Sequence, residues 1–457
     1  IRRPPRSTPS NSSAASDVYK RQEQNPYRTI EKGYIEVEAG GTVYLKASKN
    51  YKLTTLYPNK NYEYWTTICP APGVSRDEVE IVAYNADGSS TGRFGEDHIR
   101  WYNVRIYKDR APGYSTIFYF EKGHHIWFDH CLLYDRRGLW NGGNTFGGNS
   151  PYFTYLTNSA INNIMNAGGH FLRNCTMDSI GSDVFRGHDN LLSINLTVNY
   201  MDPGTTAAHP DFIQFYNPGD TVENIILYNN RVYNMLAQGI FGQNCKDVAF
   251  VNLLLEKDPP ESYAISQWGE VWDHILLWHV TTVDQGIICT DPHLAKTNLN
   301  VQNCNLTSFS AGPDTVLPNS YFAYNHYKGL TWDQSKPFGI NVTLGSQGFV
   351  DYDNDDYRIS DTSQCYRSGI PLPGVPADID NVLYDPVSPN RGCFASQNST
   401  LITREDNLEL EQKVVSVLNP FEKRISLDVK KDDLLLLYSL EGKLISNKAV
   451  EVKTLSR

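Results

Sequence analysis

The chain has 457 residues, a formal net charge of −10 at pH 7 and 20% charged residues. No apolar run approaches the ~20 residues of a membrane-spanning helix, and the acidic balance argues against non-specific attraction to nucleic-acid phosphates. Aromatic residues make up 12% of the chain, with 29 Tyr against 4 Met. This profile excludes general disorder and is typical of strands and turns rather than helices.

The first 22 residues have no apolar periodicity, no signal-peptide core and no initiator Met. They resemble translated sequencing-adapter read-through and are left out of the fold prediction, with a natural disordered arm as the alternative. Without them the net charge becomes −14. Residues 23–95 contain strand-like segments, including TVYLKASKNYKLTT. We predict that they close the N-terminal end of the fold, because an uncovered end would expose sheet edges.

Short strand-like segments recur through residues 96–345, such as WYNVRIY (101–107), RNCTMDS (173–179) and QNCNLTS (302–308). They return after roughly 20–28 residues with no helical period, and a repeat of this length must stack on its neighbours to bury its apolar face. We therefore predict an all-β fold, a right-handed parallel β-helix. A propeller would need a period of about 40–50 residues, and a sandwich would need more regular hairpin turns.

Polar residues followed by Cys occupy matching places in several repeats, namely His130-Cys131, Asn174-Cys175, Asn244-Cys245 and Asn303-Cys304. We predict ladders along the coil in which stacked amides hydrogen-bond and free thiols fill small interior gaps. The chain has no Cys-x-x-Cys pair, which argues against a structural zinc site. Cys365 and Cys393 flank a Pro- and Gly-rich segment and could form a disulfide in an oxidising compartment.

Residues 346–396 are predicted to form a terminal coil or cap, followed by a linker over 397–412. Residues 413–457 alternate strands around turns at Asn419-Pro420 and Glu441-Gly442. With Leu437-Tyr438, these marks resemble a truncated C-terminal sorting domain of the Bacteroidetes type IX secretion pathway. The resemblance implies export, surface attachment and the secretion machinery as a partner. A small β-sandwich without a targeting role is the alternative.

The strongest local stretch comprises GSDVFRGHDN (181–190), AAHPDFIQFYNPG (207–219) and AQGIFGQN (237–244). Together with the repeats it resembles the pectate-lyase-like superfamily of exported β-helix proteins. The resemblance implies an acidic polysaccharide as the substrate, bound by a monomer with no nucleic-acid partner. The string Trp127-Phe128-Asp129-His130 resembles a pectate lyase motif that carries an Asp calcium ligand.

Strand alternation over 211–216 places Ile213 and Phe215 in the core and leaves Gln214 and Tyr216 outside. Parallel stacking puts equivalent positions about 4.8 Å apart, so residues far apart in the chain can line one groove. The candidate catalytic residues are Arg186, His209, Asp211 and Tyr216. The candidate substrate-binding residues are His188, Gln214, Gln238, Gln243 and Trp268.

Cleavage of a uronate by β-elimination requires neutralisation of the sugar carboxylate, a base for the C5 proton and an acid for the leaving oxygen. Asp183 and Asp211 are candidate Ca²⁺ ligands, and Arg186 could clamp the carboxylate or pair with Asp183. The negative net charge opposes an acidic substrate unless the groove is locally basic or holds a metal.

Two alternatives remain open. An inverting glycoside hydrolase would use Asp183 and Asp211 as paired carboxylates about 5–10 Å apart. A non-catalytic carbohydrate-binding protein or adhesin would use aromatic ridges that include Trp127 and Tyr155. His209-Pro210-Asp211 could also serve only to shape a turn.

Overall fold

The structure, a computed structural model, describes most of residues 26–395 and two short strands near the C terminus. The described ranges are 26–37, 40–53, 55–56, 64–83, 92–94, 98–108, 116–120, 125–136, 144–148, 153–164, 166–186, 189–202, 211–215, 221–236, 238–257, 264–289, 296–311, 317, 319–329, 339–395, 437–438 and 444–446. Within them, no helix is long and apolar enough to cross a membrane.

The N-terminal part begins with helix α1 (Ile30–Glu36), where the Thr29 side chain accepts a hydrogen bond from the Lys32 backbone N–H as an N-cap. A 3-10 turn covers Arg76–Glu78. The strands of this part are β1 Thr42–Leu45, β2 Ser48–Leu53, β3 Thr55–Leu56, β4 Thr66–Pro70, β5 Val79–Ala83, β6 Gly92–Phe94, β7 Ile99–Tyr102, β8 Arg105–Lys108, β9 Phe118–Phe120, β10 His125–Asp129, β11 Leu132–Asp135, β12 Phe146–Gly148, β13 Phe153–Thr157 and β14 Ala160–Ile164.

Longer strands that turn a corner of the coil dominate the middle of the chain. The strands from there onward are β15 Phe171–Ile180, β16 Phe185–Arg186, β17 Leu191–Val198, β18 Asp211–Phe215, β19 Val222–Met235, β20 Gln238–Lys257, β21 Ile265–Trp278, β22 Thr281–Val283, β23 Ile287–Cys289, β24 Lys296–Gln302, β25 Asn305–Leu306, β26 Phe309–Ala311, β27 Tyr321–Ala323, β28 His326–Tyr327 and β29 Thr343–Leu344.

Two antiparallel ladders follow the parallel strands. The first joins β30 (Phe349–Asp351) to β31 (Asp356–Ile359) across a 3-10 turn at Tyr352–Asn354. The second joins β32 (Leu437–Tyr438) to β33 (Leu444–Ser446), on either side of the predicted Glu441-Gly442 turn. The rest of the predicted linker and sorting domain lies outside the described residues.

The strands from β1 to β29 stack in parallel on three faces of a solenoid. On face A, β10 lies between β7 and β13; on face B, β11 lies between β8 and β14; on face C, β9 lies between β6 and β12. The chain runs from face C to face A to face B in each coil. Strand β20 is long enough to pair with neighbours on all three faces. The predicted parallel β-helix is confirmed.

The core is a continuous stack of apolar side chains inside the solenoid. On face A, Trp101, Phe128, Leu156 and Leu172 occupy equivalent positions in successive coils, and each is fully buried. Alternate residues point outward because successive side chains in a strand lie on opposite faces. Each coil therefore buries its apolar residues against the coils above and below.

The corner between faces A and B is a single residue in the left-handed backbone conformation, with φ between 50° and 57° in every case. Asn favours this conformation because its short polar side chain tolerates it. The amide of Asn195 donates to Asn174 at 2.9 Å, and that of Asn252 donates to Asn229 at 2.9 Å. The corner residues are Asn103, His130, Asn158, Asn174, Asn195, Asn229, Asn252, His279, Asn303 and Tyr324.

The predicted ladder is therefore confirmed for His130, Asn174 and Asn303, and each is followed by an inward, free thiol. The prediction was wrong for Asn244-Cys245. Asn244 and Cys245 lie in β20 before the corner. Cys245 therefore pairs with Val222 and Trp272 at the entry to face A.

Residues 365–395 form a strap that runs along the outside of the C-terminal coils. Leu372, Val375 and Tyr384 of the strap pack on outward apolar residues of face A, among them Leu276 and Trp278. Polar contacts hold the strap at several coils. The Tyr384 hydroxyl donates to Asn252 Oδ1 at 3.1 Å, and the Arg231 guanidinium donates to the Ile379 carbonyl at 2.6 Å. His279 Nδ1 lies 3.0 Å from the Gly392 carbonyl oxygen.

Cys365 and Cys393 lie on this strap as free, buried thiols, so the predicted disulfide was wrong. Cys393 packs with Leu254 and Val283 on face B, whereas Cys365 lies beside the Arg391 backbone. Burial raises the pKa of the Cys365 thiol to about 12, which makes it unreactive.

Gly239, at the start of β20, shows how closely neighbouring coils approach on face C. A Cβ at this position would lie 2.2 Å from the Ala264 carbonyl oxygen, which cannot move without shifting the next coil. We expect Gly239→Ala to lower the free energy of unfolding by about 1–3 kcal/mol, as overpacking does. Urea denaturation measures this loss of stability. Gly329→Ala is the control, because a Cβ at Gly329 would meet no atom within 4 Å. Equal losses in the two variants would contradict the close approach.

Candidate functional site

A ladder of polar residues runs along the solenoid axis at the entry to face C. Its members in successive coils are Asn144, Asn166, Asp183, Asp211 and Gln238. Two of these side chains support the next coil, since Asn166 Oδ1 accepts the Asp183 backbone N–H at 3.0 Å and Asp183 Oδ1 accepts the Asp211 backbone N–H at 3.2 Å. We call this set the polar ladder. It brings the two predicted carboxyl groups onto adjacent rungs.

Asp211 is fully buried at the start of β18. Burial first, and the neighbouring Asp183 carboxylate second, raise the pKa of Asp211 to about 9, and Arg186 opposes this only in part. A carboxyl group with this pKa is protonated at pH 7 and adds no negative charge to the site. Burial thus turns one of the two predicted acids into a neutral group.

A cleft of about 120 Å³ opens beside the polar ladder. Its walls include Asn144, Asn166, Asp183 and Arg186. The Arg186 side chain is 60% exposed, and its Nε lies 3.8 Å from Asp183 Oδ2, which is a long ion pair. The guanidinium therefore keeps hydrogen-bond donors that a bound anion can reach from solvent.

His170 also lines the cleft, and the sequence analysis did not predict it. Its Nδ1 accepts the Thr154 backbone N–H at 3.4 Å, so in the neutral ring the proton is assigned to Nε2. The segment before His170 contains Gly168 and Gly169, with φ of 80° and 132°. That glycine pair next to a His is the sequence signal that could have identified it, because only glycine adopts such backbone readily.

The predicted glutamines lie on face C and in the strand that leaves it. Gln214 stands in register with Arg186, and the alternating neighbours Ile213 and Phe215 are buried in the core. Within the described residues, the amide oxygens of Gln214, Gln238 and Gln243 are buried and accept no hydrogen bond. A buried carbonyl oxygen without a donor is costly, but these three atoms are closed to solvent, so their contact with substrate stays a prediction.

Three predicted residues, His188, His209 and Tyr216, lie outside the described residues. Trp268 belongs to β21 by its backbone, but its side chain is not described. The roles assigned to these four residues stay predictions.

The described residues do not by themselves fit the predicted calcium ion. Among them there is no group of three or more His, Cys, Asp or Glu that could hold a metal. Ca²⁺ takes six to eight oxygen ligands, whereas the polar ladder offers two carboxyl groups, and Asp183 Oδ1 already accepts a backbone N–H. Calcium binding remains a prediction that would need further ligands.

Asp129, from the motif that resembles a calcium site, lies on face A rather than at the cleft. Its carboxylate pairs with Arg100 and accepts hydrogen bonds from Thr157 at 2.8 Å and Asn158 at 3.2 Å. Burial disfavours its charge, yet these donors hold the pKa of Asp129 below its usual value. Because its oxygens are already engaged, Asp129 serves the packing of face A.

No protein-family model matches the chain, and no curated protein matches it in sequence. Among solved structures, the chain is similar to the A-module of a mannuronan C-5 epimerase from Azotobacter vinelandii, with a TM-score of 0.41, 11% identity, and coverage of 69% of this chain and 92% of that one. It is also similar to a pectate lyase, with a TM-score of 0.37, 13% identity, and coverage of 80% and 91%. Scores and identities this low leave the function to be argued from the site.

Proposed function

We propose that the protein is an enzyme that cleaves a uronate-containing polysaccharide by β-elimination at the cleft beside Asp183 and Arg186. One observation carries the proposal, namely the exposed Arg186 guanidinium at a cleft lined by Asp183. On the next rung, burial raises the pKa of Asp211 to about 9, so this carboxyl group is neutral at pH 7. In a chain of net charge −10, this arrangement removes a negative charge that would repel an acidic sugar.

Arg186 is the proposed binding group for the sugar carboxylate. A guanidinium binds a carboxylate through two parallel N–H donors, and neutralising that carboxylate makes the proton on the adjacent carbon more acidic. The 3.8 Å contact with Asp183 orients the Arg186 side chain without consuming all of its donors.

The remaining proton transfers are assigned to His170, which lines the cleft, and to two residues that flank β18 in sequence. The Nε2–H of His170 can donate to a substrate oxygen, because Nδ1 is held as an acceptor by Thr154. His209 and Tyr216, which flank β18 in sequence, are the proposed base and acid. A calcium ion, if further residues supply ligands, would add to the neutralisation of the carboxylate.

Glycoside hydrolysis is the second candidate, and the pair of acids favours it. Asp183 and Asp211 lie on adjacent rungs, and Asp211 is neutral at pH 7. Two carboxyl groups held in different protonation states are the arrangement that glycosidases use for acid and base catalysis. Here Asp211 would need to reach substrate from a fully buried position, which ranks this candidate below elimination.

The test is to incubate the full chain with alginate, pectate and glucuronan, with calcium and then with a chelator. Elimination produces an unsaturated uronate that absorbs in the ultraviolet, together with new reducing ends. Reducing ends without absorbance would instead establish hydrolysis. If neither signal rises on any of the three polymers, the proposed lyase is wrong for these glycans, and loss of the signal with chelator would establish the role of calcium.

A further inference from the structure

The outward surface of face A in the N-terminal coils is built from aromatic rings. Arg100, Trp127, Tyr155 and Phe171 occupy equivalent outward positions in successive coils, and Trp65 lies beside them. The ring centroids of Trp65 and Trp127 are 5.6 Å apart, those of Trp65 and Tyr155 5.8 Å, and those of Tyr155 and Phe171 6.1 Å. All five side chains are half-buried. We call them the aromatic strip.

The same outward column changes character in the C-terminal coils. There the strap packs over three of its members, Ile226, Ala249 and Leu276, and beyond them the column ends with Asn300 and Tyr321. In this column, aliphatic side chains lie under the strap, whereas the aromatic side chains of the N-terminal coils remain half-buried. A change from aliphatic to aromatic residues along one column indicates a different partner for the N-terminal part.

The strip is locally basic although the whole chain is acidic. The Arg100 guanidinium lies 4.4 Å from the centre of the Trp127 ring, a cation–π contact. Arg173 follows on the same face, and the acidic group within it, Asp129, is paired with Arg100. Rings together with guanidinium groups complement a polymer of sugar rings that carries carboxylates, because flat apolar faces stack and opposite charges attract.

The strip also joins the proposed active-site cleft. A row of rings runs from His98 to His125 at 4.8 Å, from His125 to Phe153 at 5.5 Å, and from Phe153 to His170 at 5.5 Å between centroids. His170 lines the cleft. Because successive coils are about 4.8 Å apart, the row follows the solenoid axis and can hold a linear polymer next to the cleft.

We infer that the aromatic strip binds a uronate-containing polysaccharide that lies along the solenoid axis. Trp65, Trp127 and Tyr155 stack on sugar rings, and Arg173 supplies positive charge in addition to the Arg100–Asp129 pair. The sugar class rests on the proposed function, but the binding itself is measurable without turnover.

The test is affinity electrophoresis of the full chain in gels that contain pectate, alginate or the neutral glycan dextran. We expect Trp127→Ala and Tyr155→Ala each to weaken retention by the acidic gels about tenfold or more, as central aromatic contacts do. Tyr321→Ala is the matched control, because Tyr321 occupies the same outward column at the far end of the solenoid and is 45% exposed. Added salt should weaken retention as well.

The thermal unfolding midpoint of each variant is recorded alongside. If Trp127→Ala unfolds, Trp65→Ala makes the same test, because Trp65 precedes β4 and belongs to no strand. Retention of the strip variants equal to that of the unsubstituted chain overturns the inference. So does equal retention by dextran, or no retention by either acidic gel.

The binding inference and the proposed reaction can be contradicted separately. If no polymer is cleaved but retention still depends on Trp127 and Tyr155, polysaccharide binding by the strip is supported and the proposed lyase activity is contradicted. If polymers are cleaved but the strip variants are retained normally, the proposed reaction is supported and binding by the strip is contradicted.

Discussion

Replacing Arg186 with Gln is expected to lower kcat/KM on a uronate polymer by roughly 100-fold or more, the usual cost of removing a charge-stabilising donor. Gln keeps the hydrogen-bonding character but cannot neutralise the sugar carboxylate. Steady-state ultraviolet kinetics measure the effect. Because the Arg186 side chain is 60% exposed and its ion pair is long, we expect the free energy of unfolding to change by less than about 0.5 kcal/mol.

Two further variants define what the Arg186 result means. Arg186→Lys retains the charge but loses the planar fork, so it should recover only part of the activity. Arg358→Gln is the matched control, since Arg358 is 52% exposed and also pairs with an aspartate, Asp356. Both residues are far from Arg186 in sequence. Unchanged turnover in Arg186→Gln would remove this residue from the mechanism, whatever reaction the protein catalyses.

Asp211→Asn is expected to stabilise the protein at alkaline pH and to flatten its pH dependence. The folded-state pKa of Asp211 is about 9, against an ordinary value of 3.8. Between these two values the folded state holds a proton that the unfolded state has lost, so stability falls as pH rises, by up to about 1.4 kcal/mol per pH unit. The loss levels off above the folded-state pKa, and Asn is neutral throughout.

Urea denaturation at pH 5, 7 and 9 measures this linkage. We expect the stability of Asp211→Asn relative to the unsubstituted chain to rise between pH 5 and pH 9 by at least about 2 kcal/mol. Asp353→Asn is the control, because Asp353 is exposed on the short turn after β30. If the curves of the unsubstituted chain and Asp211→Asn run parallel, Asp211 is not held neutral by the fold.

The sequence was sufficient for the solenoid because its cause is local. A strand-forming repeat with Asn at one corner can bury its apolar residues only by stacking, and Ile213 and Phe215 are indeed in the core. The same alternation places Asp211 on the inward side with them, although the sequence analysis assigned Asp211 a catalytic and metal-binding role. Its burial and raised pKa could have been predicted from that parity alone.

The cleft itself could not be predicted, because it depends on how coils of unequal length close. His170 and Asn166 meet Asp183 and Arg186 only after the chain has completed a further turn. The disulfide prediction failed for a similar reason. The sequence separation of Cys365 and Cys393 gives no information on the direction of their side chains. The Cys393 side chain packs in the apolar contact with face B.

The single-residue corner between faces A and B has a consequence for how such a protein can diversify. Consecutive corner residues are 16 positions apart at Asn158 and Asn174, but 34 apart at Asn195 and Asn229. Since the corner is one residue long in each described coil, this variation falls in the rest of the coil, outside the A–B corner. Insertions elsewhere in a coil can therefore lengthen it while the register of faces A and B at the corner stays unchanged.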